Sequence, residues 1–249
     1  GAISRVGVLA THRRRGIASG LMERLVGDAV ERDLTLMSLR ASEAVIYERY
    51  GFGMAGQFIE AKIDPVRARP VSGAVAGGSI GFVARDRIFD TVTPIYDASL
   101  HRRPGLVTRP HSWWARYFED ALAIDKSSYV VVHTAAGGEH TGYAHYGVEW
   151  NHDAPGGPSG KGEIHDVTAI DDATELALWS YLFDIDLVRA WTCDERPVDD
   201  IVRHAIRDMR AYATTTVDDE QWVRLVDIDA ALAARTYNSS RDDVTIGVT

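Results

Sequence analysis

Residues 5–30 constrain the fold more than any other stretch. Val6 and Val8 alternate with Gly7, as in a strand, and three consecutive arginines and Gly16 follow. From there apolar residues recur at Ile17, Leu21, Met22, Leu25, Val26, Ala29 and Val30, which is one stripe of an amphipathic helix. Glu23, Arg24, Asp28, Glu31 and Arg32 fall on the other face. The order is a short strand, a cationic turn and the first turns of a helix.

The chemistry lies where strand meets helix. A helix start leaves backbone N–H groups unpaired and carries a partial positive charge, so it suits an anion. Gly16 and the small Ala18 let a ligand approach that backbone, and Arg13, Arg14 and Arg15 add fixed charge suited to phosphate oxygens. The pattern suits a pyrophosphate, and a solvated helix cap or an interface patch is the other reading of such a cluster. No Lys-Ser/Thr pair follows the glycine, which excludes a Walker loop. The spacing of Gly16, Ala18 and Gly20 also departs from the Gly-x-Gly-x-x-Gly dinucleotide fingerprint.

Leu34–Leu39 reads as a second strand, Ser42 as the N-cap of a short helical segment, and Met54–Ile63 as a further strand. Arg13-x-x-Gly16-x-Ala18 after Val-x-Val resembles the acyl-CoA pyrophosphate loop of the GCN5-related N-acetyltransferases (GNAT). With Ala41-Ser-Glu-Ala-Val-Ile-Tyr47-Glu-Arg-Tyr-Gly-Phe-Gly53 the resemblance narrows to the enhanced-intracellular-survival (Eis) type. Later runs are similar in the same order: Arg109-Pro-His-Ser-Trp113-Trp114, Leu176–Trp179 through Leu182–Val188, Arg196-Pro-Val-Asp-Asp200, and Trp222–Asp227 with Ala230–Leu232 and Arg235–Tyr237.

The resemblance implies an α/β (α+β) chain of GNAT-type acyltransferase fold. Tandem acetyltransferase-like domains would be followed by the start of a sterol-carrier-like domain. Residues 1–64 would be the C-terminal half of an acetyl-CoA-binding domain, 65–81 a linker rich in Gly, Pro and Ala, 82–215 a second domain without a cofactor loop, and 216–249 the start of the third. The match covers only part of the family plan, and the chain reads as truncated at both ends.

Within the second domain, helices are expected near Asp86–Leu100, His111–Leu122 and Asp172–Phe183. Strands are expected at Ser128–Thr134, Thr141–Val148, Gly162–Ala169 and Leu187–Thr192. The glycine-rich insert Asn151–Gly162 reads as a hairpin loop. Its Gly-Lys-Gly ending is one residue short of a Walker loop and lacks the Ser/Thr.

A net charge of −9 argues against a nucleic-acid partner. The charge is uneven: residues 1–64 hold nine Lys/Arg and eight Asp/Glu, the remainder 18 and 28. An acidic body suits a cationic amine substrate, and equally serves solubility. No apolar run approaches a membrane span, and a cytoplasmic location fits. The lone Cys193 excludes an internal disulfide and a cysteine metal cage, and reads as a buried small residue. Nine scattered histidines show no metal-ligand spacing, so no metal is expected.

Acetyl transfer to an amine needs a held thioester, a deprotonated amine and a proton for the departing thiolate. The resemblance implies acetyl-CoA as cosubstrate and Tyr47 as the general acid, with Tyr50 assigned to packing. Val6, Gly7 and Val8 would pair with the pantetheine arm. Arg13, Arg14, Arg15, Gly16, Ile17, Ala18 and Ser19 would hold the pyrophosphate, with Ser42 and Glu43 lining the same channel. Glu43 reads equally as a carboxylate at a helix start. In this family the base is the C-terminal carboxylate of the third domain. That role is not carried to Thr249, because only the start of that domain is matched. The implied acceptors are aminoglycosides and lysine side chains, and the implied assembly is a homohexamer. Two alternatives stay open: a catalytically impaired relative acting as a CoA-binding or interaction module, and an acyltransferase for another acyl-CoA.

Overall fold

The computed structural model describes residues 1–69, 71, 75–116 and 127–236. They form two compact units, one from Gly1–Gln57 with the segment beginning at Asp219, the other from Phe58–Asp218. The strands are β1 (Ala2–Ile3), β2 (Leu36–Leu39), β3 (Gly53–Met54), β4 (Gln57–Ile63), β5 (Ser79–Phe82), β6 (Ser128–Thr134), β7 (His140–Asn151), β8 (Ser159–Ala169), β9 (Val188–Pro197), β10 (Tyr212–Asp219) and β11 (Trp222–Leu225). The α-helices are α1 (Ile17–Glu31), α2 (Ala44–Tyr47), α3 (Pro65–Ala68), α4 (Ile88–Ser99), α5 (His111–Trp114), α6 (Asp172–Asp184), α7 (Val202–Ala205) and α8 (Ile228–Ala233).

The first unit is a four-stranded sheet in the order β1-β2-β11-β3 covered by α1. β1 runs parallel to β2, and β11 is antiparallel to both of its neighbours. Met22 and Ala29 of α1 are buried against Met37, Leu39, Phe52 and Trp222, with Leu25 and Val26 packed beside them. That is the i, i+3, i+4, i+7 face of the expected stripe. Ile17, Leu21 and Val30, also assigned to it, are exposed.

The strand expected at Val6–Val8 lies earlier, at Ala2–Ile3. Arg5 adopts φ 59°, which breaks the extended run, and no strand of the described residues pairs with Val6–Val8. The single strand expected over Met54–Ile63 is likewise two strands in two sheets, β3 and β4. From residue 216, where a third domain was expected to begin, the end of β10 lies in the seven-stranded sheet and β11 in the four-stranded one. There β11 buries Trp222 to 5% exposure between Leu39 and Met54. A ring of that size removes about 200 Å² from water, on the order of 5 kcal/mol as an upper figure. Tyr237–Thr249 lie outside the described residues.

The second unit is a seven-stranded sheet in the order β10-β4-β9-β8-β7-β6-β5. β8 and β9 are parallel, whereas β4–β9, β7–β8, β6–β7 and β5–β6 are antiparallel. Alternation along β6 sends Val130 and Val132 toward Ile88, Val92, Ile95, Tyr96 and Trp114. Val131 goes to the opposite cluster, with Trp179, Leu182, Phe183 and Trp191. α6 buries residues on nearly every side, so its sequence shows a continuous apolar run rather than a stripe.

The expected helices at 86–100 and 172–183 and the four expected strands are present, with shifted ends. β7 and β8 extend into the insert and leave 152–158 as the loop between them. Gly162 lies in β8, where a Cβ would sit 2.1 Å from the Trp191 ring, so its glycine serves close packing. The segment expected to link the domains contains α3 and the start of β5. Of the helix expected at His111–Leu122, α5 covers His111–Trp114, and residues 117–122 lie outside the described residues.

Candidate active site

The N-terminus of α1 opens on a cleft of about 430 Å³ in the first unit. The chain after β1 contributes Val6, Gly7 and Val8, and the turn contributes His12, Arg13, Arg14 and Gly16. α1 adds Ile17, Ala18, Ser19 and Met22, and the segment after β2 adds Ser42, Glu43, Ile46, Tyr47, Arg49 and Tyr50. Twelve of the thirteen residues singled out from sequence therefore line one cavity. Arg15 is the exception: Arg14 turns into the left-handed region at φ 58°, which redirects the run before Arg15.

Gly16 precedes α1 at φ 77°, ψ 0°, a conformation glycine adopts without steric cost. No side chain caps α1, and its ladder begins with the Gly20 N–H donating to the Gly16 carbonyl at 2.9 Å. The N–H groups of Ile17, Ala18 and Ser19 lie ahead of that first bond, at the positive end of a 15-residue helix. Arg13 and Arg14 are exposed beside them. Unpaired N–H groups at a helix start with guanidinium groups beside them suit an anion.

Tyr47 ends α2 and is half-buried, its ring edge-on to Phe52 at 6.4 Å. Ser42, expected to cap that segment, does not: Glu43 holds the N-cap position in extended conformation, without a side-chain cap bond. Sequence reasoning missed His12, Met22, Ile46, Arg49 and Tyr50 as cleft residues. For Tyr50 the signal was its three-residue spacing from Tyr47, which places both on one side of a helical turn. Tyr50 Oη lies 3.0 Å from Ser19 Oγ, and Arg49 Nε donates to the Ile46 carbonyl at 3.0 Å.

The second unit repeats the strand-to-helix junction where β8 leads into α6, with the opposite chemistry. The Asp171 carboxylate accepts from the Thr174 N–H at 2.7 Å, and Asp172 and Glu175 occupy the first turn. The cap is taken by Asp171, and Asp172 and Glu175 are paired with Arg102. The pairing of β8 with β9 ends at Ile164–Cys193, and beyond it the buried Arg196 of β9 reaches the β8 backbone. It donates to the Val167 carbonyl at 3.2 Å, to Glu175 at 2.5 Å and to Asp200 at 2.8 and 3.1 Å. Burial alone would raise the Asp200 carboxyl. Arg196 beside it, with hydrogen bonds from Arg196 and Tyr212, holds it below the usual carboxylate range.

The other sequence candidates resolve into packing. Trp113 and Trp114 meet edge-on at 5.2 Å, and the Arg109 guanidinium lies 4.1 Å from the Trp113 ring centroid. Cys193 is buried, and desolvation pushes its thiol up to about 11. Among the described residues, no group of His, Cys, Asp and Glu is placed to hold a metal ion. No helix of the described residues is long and apolar enough to cross a membrane.

Two sequence profiles of the acetyltransferase (GNAT) domain match this chain, over residues 1–55 and 105–225. An uncharacterised N-acetyltransferase of Streptomyces coelicolor is 34% identical over 247 residues, 97% of this chain and 59% of that protein. The N-acetyltransferase Eis of Mycobacterium tuberculosis is 27% identical over 242 residues, 94% of this chain and 57% of that protein. The crystal structure of Eis1 from Mycobacterium abscessus superposes with a TM-score of 0.82 at 36% identity, covering 95% of this chain and 58% of that one. The chain thus spans a little under three fifths of the relatives it matches.

Proposed function

Because this chain belongs to the Eis-like GNAT acetyltransferases, we propose that it transfers an acetyl group from acetyl-CoA to a primary amine. The transfer is direct, within a ternary complex, and the acceptor is of the aminoglycoside or lysine type. The observation that carries this reading is that one cleft joins an uncapped helix N-terminus, exposed arginines and a half-buried tyrosine.

Acetyl-CoA supplies the activated thioester. The N–H groups of Ile17, Ala18 and Ser19, with Arg13 and Arg14, hold the pyrophosphate, and Arg15 adds charge from outside the cleft. The backbone of Val6, Gly7 and Val8 holds the pantetheine arm, with Ser42 and Glu43 lining the same cleft. Tyr47 Oη donates its proton to the departing sulfur. The group that accepts the amine proton is not assigned, and Thr249 is given no role. In this reading residues 1–57 with 219–236 form the cofactor-binding unit. Residues 58–218 form a second acetyltransferase-like unit, at whose corresponding junction Asp171 caps the helix and Arg196 meets Glu175. A homohexameric assembly and a cytoplasmic location belong to the same reading.

The test is thiol release from acetyl-CoA with a panel of amines. Tyr47→Phe is expected to lower the maximal rate about 100-fold or more, the usual worth of a general acid, and to leave CoA affinity within about twofold. A Tyr47→Phe protein as fast as its parent removes Tyr47 from the acid role. A parent that binds CoA but releases no thiol with any amine identifies a binding module instead, and competition with longer acyl-CoA thioesters tests the choice of acyl group.

A further inference from the structure

The cleft contains a second phenol that the proposed reaction does not use. Tyr50 sits three residues beyond Tyr47, lines the same cavity, and places Oη 3.0 Å from Ser19 Oγ. Ser19 is the third residue of α1, one of the three whose N–H groups precede the helical ladder. A phenol is far more acidic than an aliphatic hydroxyl, so in such a pair it is the better donor. With Tyr50 donating to Ser19 Oγ, the serine hydrogen is left to point elsewhere.

Tyr50 is itself held from a distant part of the chain. Its carbonyl accepts from Arg224 Nη1 of β11, 174 residues away in sequence and within the same unit. That guanidinium also lies against Gly51, which takes φ 76°, with Nη1 3.0 Å from where a Cβ would stand. The Arg49 guanidinium lies over the Tyr50 ring, 5.7 Å from its centroid. The phenol therefore has a fixed backbone on one side and a fixed acceptor on the other.

We infer that Tyr50 is a positioning residue for the diphosphate of the cosubstrate: its phenol orients the Ser19 hydroxyl as a donor at the start of α1, and Arg224 holds Tyr50 in place. The inference rests on the cleft binding CoA, as proposed above. No bond is made or broken by Tyr50. It converts a freely rotating hydroxyl into one aimed with the Ile17, Ala18 and Ser19 N–H groups.

The experiment is a double-mutant cycle on CoA affinity by calorimetry, with Tyr50→Phe, Ser19→Ala and the pair. Each single variant is expected to weaken CoA binding about tenfold, the lower end of the worth of one hydrogen bond to a charged group, and the pair no more than either alone. The melting temperature of the ligand-free protein is expected to stay within about 2 °C of the parent. In turnover the loss falls on KM for acetyl-CoA and leaves kcat within about twofold, the reverse of Tyr47→Phe. Arg224→Gln is expected to reproduce part of the loss. The inference is overturned if Tyr50→Phe binds CoA within twofold of the parent, if the two losses multiply, or if kcat falls in place of affinity. A parent that does not bind CoA at all refutes the cofactor reading itself, whereas a parent that binds and a Tyr50→Phe variant that binds equally refutes only the role of Tyr50.

Discussion

Gly16→Ala tests the phosphate-binding reading through the backbone alone. Gly16 sits at φ 77°, ψ 0°, immediately before α1. A Cβ built there meets no atom within 4 Å, so the substitution introduces no clash. What remains is the cost of an L-residue in the left-handed region, roughly 1–2 kcal/mol. If the turn keeps its shape, the folded state loses that amount. If the turn relaxes, the conformer that presents the Ile17–Ser19 N–H groups is depopulated by the same free energy. With 1.4 kcal/mol per tenfold, CoA affinity then falls by about 5- to 30-fold. Asparagine tolerates left-handed backbone better, so Gly16→Asn should lie between alanine and the parent. Calorimetry with CoA, paired with thermal melts of the free protein, reads both routes. If Gly16→Ala matched the parent in affinity and in melting temperature, the left-handed turn would not shape the site. An asparagine variant weaker than alanine would refute the conformational reasoning.

Two further expectations concern the second unit. Arg196→Ala strands the buried Asp200 with only the Tyr212 hydroxyl and the Val202 N–H, while Glu175 keeps Arg102 at 2.9 Å. Denaturant melts should show a loss of about 3–5 kcal/mol, and a loss under about 1 kcal/mol would mean the network is not a buried ion cluster. Acid sensitivity should follow from Asp166 and Asp200. Burial tends to raise both carboxyls, but Arg109 and Arg196 respectively bring them below their ordinary 3.8. Depressed carboxylates add stability that is fully present above that ordinary value and is lost as pH falls through the lower folded value. The urea midpoint should therefore drop below about pH 4, and Asp200→Asn should shallow that drop; an unchanged acid limb would count against the assignment.

Much of the site was legible because it is local. The strand-to-helix run at residues 5–19 and the Ser42–Tyr47 segment each lie within a few residues of chain, and local hydrogen bonding and helix polarity act at that range. The details went astray where a neighbour decides. Val6–Val8 alternate like a strand, but no strand of the described residues pairs with them, and a strand is defined by its pairing. Ser42 is a good capping residue by type, but Glu43 holds the cap position. Tyr50 read as packing because the atom that gives it a second role, Ser19 Oγ, lies 31 residues earlier.

By itself the sequence determined the family resemblance, the helical and strand periodicities, the cationic turn and the acidic character of the later chain. Only the tertiary structure decided that β4 leaves the first sheet for the second and that β11 returns from residue 222 to bury Trp222 and hold Tyr50 through Arg224. The structure also decided that Asp171 caps the helix at the second strand-to-helix junction and that Arg196 meets Glu175 there. Side-chain period and capping chemistry are written in neighbouring residues. The choice of which sheet edge receives β4 or β11 is set by pairing with strands more than a hundred positions away, and no local pattern encodes that choice.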